Sequence, residues 1–277
     1  MVWHMIELLQ YPEVQSGVVP FFVSLLVAFI FRSRKLTWAC AGVVLAFIST
    51  ALLLNGFTFL PLSGTRKIIL AGMLVLIIAG FSEAYLANWR YRLAVLVVIS
   101  GLLFLWVVWP VLLRMEGSVK WLIAAGGVSY VIWHTLWLDS IRKNAMQSTA
   151  SVLALGLGTG GVAIFGASAL YGQLSISMGA AAGALLFFVA FSKLETNTLL
   201  TYPASVLTSL LGMATLVFAD LPWYALVLLT PIPLLARIPV PERYPAWIRT
   251  GILVLIVMLP VALALLSVGN VEDDSPY

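Results

Sequence analysis

The sequence predicts an all-α, polytopic bundle of transmembrane helices, about ten spans with nine as the alternative, and no soluble domain. Three observations predict it. Hydrophobic residues make up 62% of the chain and charged residues only 9%, against about 25% charged in an average soluble domain. Mean hydropathy is +1.07. Apolar, charge-free intervals recur along the whole chain, and a bilayer core takes about 20 such residues per helix. Residues 1–277 are thus expected to form a single integral membrane domain whose first partner is the lipid bilayer.

The spans are expected near 15–31, 36–54, 68–87, 93–113, 120–138, 149–170, 174–192, 198–218, 222–237 and 246–268. Residues 1–14 read as a lead-in. His4, Glu7 and Gln10 fall together on one face of a short interfacial helix, and an unstructured apolar lead-in is the other reading. The start carries acidic residues and no basic stretch, so no signal peptide is expected. Asn55-Gly56 reads as the close of the second span. The interval 144–192 is charge-free and too long for one helix, so a turn is expected at Tyr171-Gly-Gln-Leu-Ser175. Asp220 is expected to cap the ninth span, with Pro222 in its first turn. That span is short and holds Pro231 and Pro233, which leaves a tilted or re-entrant piece as the alternative. Pro110, Pro203 and Pro260 are expected to kink the fourth, eighth and tenth spans. The loop 237–247 is proline-rich and expected to be extended, and 269–277 reads as an acidic exposed tail.

Alternate loops differ in Lys and Arg, which sets orientation. Arg32, Arg34, Lys35, Arg90, Arg92, Arg142, Lys143, Lys193, Arg237, Arg243 and Arg249 fall in one set. Arg66, Lys67, Arg114 and Lys120 fall in the other. The richer set is expected in the cytoplasm of an inner (plasma) membrane protein, which puts both termini outside.

Several chemistries are disfavoured. One cysteine and two histidines supply no metal or disulfide spacing. No GxSxG, HExxH or P-loop pattern is present. No cofactor, metal or catalytic residue is therefore named, and the basic charge reads as topology, not as nucleic-acid binding.

Ionisable groups inside a membrane are functional candidates because burying charge in hydrocarbon is unfavourable. Glu83, late in the third span, reads either as a proton or cation site or as an interface carboxylate that is paired with Arg90 and Arg92 or solvated. His134 reads as a proton relay or as a helix-to-helix hydrogen-bonding group, with Tyr130 on its face. Asp139, with Arg142 and Lys143 at i+3 and i+4, reads as an ordinary helical charge cluster.

Small residues form the other pattern. Gly156 and Gly160 continue into Ala163 and Ala167, Gly179 and Gly183 frame GAAAG, and Thr201, Ser205, Thr208, Gly212 and Thr215 fall on one helix face. Such faces let helix backbones approach closely. They also suit a narrow path for an uncharged or amphipathic solute. Function therefore divides three ways: transport or lipid handling of such a compound, an accessory subunit held by other membrane subunits, or a membrane enzyme without a recognisable motif.

Overall fold

Helix is the only regular structure among the described residues, as expected where backbone groups have no water to bond. The computed structural model describes residues 11–31, 36–56, 60–191 and 195–272. Residues 1–10 of the lead-in, the basic residues Arg32, Arg34, Lys35 and Lys193, and the tail from Asp273 lie outside them, while 269–272, expected in the exposed tail, continue the last helix. The helices are α1 (Val14–Phe31, its first turn a π-helix), α2 (Gly42–Asn55, with a 3-10 lead-in Leu36–Ala41) and α3 (Gly64–Tyr85). Then come α4 (Trp89–Leu112), α5 (Val119–Ile141), α6 (Ala145–Gly166), α7 (Ala169–Phe191) and α8 (Thr198–Ala219). The last are α9 (Trp223–Leu229), α10 (Ile232–Leu235) and α11 (Ala246–Glu272).

Eight of these helices are long and apolar enough to cross a membrane. The expected second and ninth spans are shorter, at Trp38–Leu54 and Trp223–Leu235. The ninth breaks at Thr230-Pro231, because proline cannot donate to the preceding turn. A helix of its 13 residues would extend only about 20 Å. It nonetheless leads from Trp223, beside the end of α8, to Arg237, whose guanidinium donates to Ser140 Oγ at the end of α5.

Local chemistry explains the helix starts. Ser63, Asn88, Asn144 and Asn197 each accept a backbone N–H of the following first turn. This satisfies one of the donors orphaned at a helix N-terminus. Gly56, at φ 65°, closes α2 as the Asn55-Gly56 pair predicts. Two expected boundaries are corrected. The break between the sixth and seventh spans falls at Ala167-Ser168, not at 171–175, which lie inside α7. Ser168 N–H folds back to Ala163 O at 2.7 Å there. Asp220 does not cap the ninth span. It ends α8 in the left-handed conformation at φ 56°, and Pro222 occupies the N-cap of α9.

The core sits on α8, whose residues 198–215 are all buried. Helices α2 to α7 contact it, while α1 lies outside on α2 and α7, and α11 lies outside on α6. The small residues explain the tightest contact, α6 against α7. A methyl group on Gly156 would collide with the backbone of Gly179, and one on Gly160 would stand 2.8 Å from Gly172 O. Ser175 Oγ also donates to Gly156 O at 3.0 Å.

Candidate functional site

Buried polar side chains gather where α3, α5 and α7 end and α4, α6, α8 and α11 begin. The segment before α8 is the keystone of this end. Glu83, exposed at the end of α3, accepts from Thr198 N–H at 3.3 Å. Its carboxylate thus meets the positive end of the α8 dipole. Asn197 Oδ1 accepts from Leu199 N–H at 3.1 Å. Thr196 Oγ1 donates to Arg142 O at 2.8 Å, and Ser148 Oγ donates to Thr196 Oγ1 at 2.9 Å. Side chains from α3 and α6 and a backbone carbonyl of the α5–α6 turn therefore all hold the start of the central helix. Glu83 was expected as a proton or cation site, or as an interface carboxylate that is solvated or paired with Arg90 and Arg92; it is exposed. Among the described ion pairs it meets neither arginine; it serves a helix terminus supplied by a segment 115 residues away.

Arg92 turns inward from α4 instead. Its Nη2 lies 3.9 Å from Asp139 Oδ2, and Arg142 Nη1 lies 2.8 Å from the same oxygen. The side chains of Arg92 and Asp139 are 7% and 8% exposed. Asp139 is thus not only a helical charge cluster with Arg142, as the i+3 spacing predicts. It also bridges α4 and α5 through a buried pair. Arg92 Nε and Asp139 Oδ1 are buried with no hydrogen-bond partner.

Two clefts flank the α5–α6 turn and share Ser140 and Lys143. The smaller, about 310 Å³, is bordered by Trp89 and Leu93 of α4 and by Asp139 and Arg142. The larger, about 810 Å³, has a polar head and an apolar wall. Its head is formed by Lys143, Asn144, Gln147 and Arg249; its wall includes Met146, Val189, Ala190 and Phe191. Phe191 is 69% exposed on the outside of the bundle. Volumes of this size suit small-ligand sites.

The remaining sequence candidates lie elsewhere. His134 is 1% exposed on α5; its Nδ1 is 3.0 Å from Tyr130 O and its ring stands edge-on to Tyr130 at 4.4 Å. Its Nε2 is buried without a partner. The neighbouring Thr135 links α4 to α8: its hydroxyl is 3.3 Å from both Ser100 Oγ and Ser205 Oγ. The stripe's threonine hydroxyls turn back on their own helix: Thr201 to Asn197 O, Thr208 to Ala204 O and Thr215 to Leu211 O. Gly212 faces Leu226 and Thr159, and Gly183 makes ordinary contact with Leu153. Neither the stripe nor the glycines line the two clefts.

Sequence reasoning missed the larger cleft. Lys143 and Arg249 stand 106 positions apart and read as topology charges, so no spacing joined them. Among the described residues, no three His, Cys, Asp or Glu side chains gather as metal ligands would. No protein-family model and no curated protein sequence matches this chain.

Proposed function

We propose that the chain is a multi-pass membrane protein that handles an amphipathic compound, as a transporter or a lipid-handling protein, at the polar end of its bundle. The larger cleft carries this reading. It sets cationic and amide groups beside an apolar wall that continues onto the exposed outer surface at Phe191. An amphiphile matches that pairing: its head replaces water around Lys143 and Arg249, and its chain follows the wall. The charge asymmetry supports a cytoplasmic position for this end in an inner membrane. On the same reading the shorter segments at Trp38–Leu54 and Trp223–Leu235 complete ten crossings, and the α8 stripe packs the bundle, since its hydroxyls are already answered by helix carbonyls or by Thr135.

The test is purification of the full chain from its membrane in mild detergent, with mass determination of everything bound. A monomer or homodimer carrying a defined amphiphile is the expected result. A stoichiometric set of other subunits, with no bound amphiphile, would overturn the reading in favour of an accessory role.

A further inference from the structure

We infer that the larger cleft selects an anionic head, a phosphate group carried on a membrane amphiphile; this rests on the amphiphile reading above. Four features meet there. First, the cleft is lined by Lys143 and Arg249 and by no carboxylate among the described residues. Asp139 faces the other cleft and is already engaged by Arg92 and Arg142. Second, neither Lys143 nor Arg249 takes part in an ion pair among the described residues. A cation in an open cleft with no protein carboxylate beside it is free to meet a ligand oxygen. Third, the first turn of the 22-residue helix α6 forms part of the lining. Asn144 Oδ1 answers Gln147 N–H at 3.2 Å. The N–H groups of Ala145 and Met146 have no intrahelical acceptor, and the helix dipole puts positive potential on them. Fourth, the wall at Val189 and Phe191 is apolar and ends on the outer surface, so the head arrives with a hydrocarbon chain attached.

These features discriminate between heads. A zwitterionic choline phosphate would bring its own cation against Lys143 and Arg249. A neutral sugar or glycerol head would leave both charges unanswered. A phosphate with no cationic neighbour offers oxygens to the guanidinium, the ammonium and the helix terminus together.

The test uses the full chain, delipidated in detergent and equilibrated with equal amounts of phosphatidylglycerol and phosphatidylcholine. Native mass spectrometry reads the retained lipids. The wild type is expected to favour phosphatidylglycerol, and each of Lys143→Gln and Arg249→Gln to reduce that preference about fivefold. Lys120→Gln, at the opposite end, should leave it unchanged. The double variant Lys143→Gln with Arg249→Gln is expected to abolish the preference, and should it unfold, the two single variants still read the ratio. Lipid retained without charge preference would overturn the head assignment and leave the amphiphile reading standing. No lipid retained above the level of an unrelated membrane protein would overturn both. Inorganic phosphate that binds alone, and displaces phosphatidylglycerol completely, would show a free anion as the ligand and overturn the lipid source.

Discussion

Arg92 Nη2 lies 3.9 Å from Asp139 Oδ2, and this buried contact ties α4 to α5 at the polar end of the bundle. Asp139 stands between two guanidiniums, since Arg142 reaches the same oxygen at 2.8 Å. Removing the carboxylate leaves the buried Arg92 facing a second cation, the part-exposed Arg142, with no counter-charge. Asp139→Asn should therefore destabilise the protein by about 3–5 kcal/mol, the range for breaking a buried ion pair. Thermal unfolding in detergent measures it. The double variant Arg92→Met with Asp139→Leu should recover a large part of that loss; if it adds to the loss instead, the pair is not what holds α4 to α5.

The α6–α7 contact gives a sharper steric prediction. Gly156→Ala puts a methyl group into the backbone of Gly179, which cannot swing aside as a side chain does. A destabilisation of about 1–3 kcal/mol is expected, as for overpacked cores. Gly183→Ala, whose nearest neighbour would be Leu153 at 3.7 Å, should change stability by no more than about 0.5 kcal/mol. Equal effects of the two substitutions would contradict the close backbone approach.

Thr208→Val tests what the α8 stripe does. The Thr208 hydroxyl donates to Ala204 O at 2.6 Å and is buried. Valine keeps the shape and removes a bond made only within the helix. Lipid retention and any transport should persist, with stability within about 1 kcal/mol of wild type. Loss of transport at unchanged melting temperature would make the stripe a path instead.

Glu83→Gln retains an oxygen that can accept from Thr198 N–H but removes the charge from the start of α8. The expected loss is about 0.3–1 kcal/mol, shrinking as salt is added. Comparing melting temperatures at low and high ionic strength checks this. A large loss of a pH-dependent activity at unchanged stability would return Glu83 to the role of proton or cation site.

Orientation is tested by reporters fused after Tyr277. A reporter active outside the cytoplasm, and inactive within it, is expected if ten crossings place both termini outside. The opposite pattern would mean nine or eleven crossings, or an inverted chain, and the shorter segment Trp223–Leu235 would be the first to re-examine by cysteine labelling.

The helical class and most helix positions were legible in the sequence because they follow from one-dimensional properties: hydropathy over about 20 residues, charge punctuation, and Gly or Pro at turns. The boundary near Ala167 was not, because no charge or proline marks it; the chain turns there by folding Ser168 N–H onto Ala163 O. Asp220 carried an ambiguous signal, since the same short side chain suits an N-cap or a left-handed helix end, and packing selected the second.

By itself, then, the sequence determined that this chain is helical and apolar, where its helices run, and which faces carry small residues. Tertiary structure decided which charges meet. Glu83 is joined to Thr198, Arg92 to Asp139, and Lys143 and Arg249 to one cleft, across separations that no local pattern encodes. The physical reason is that hydropathy is summed along a segment, whereas a site is set by which helix ends converge. That convergence follows from packing around the buried α8, a property of the whole chain.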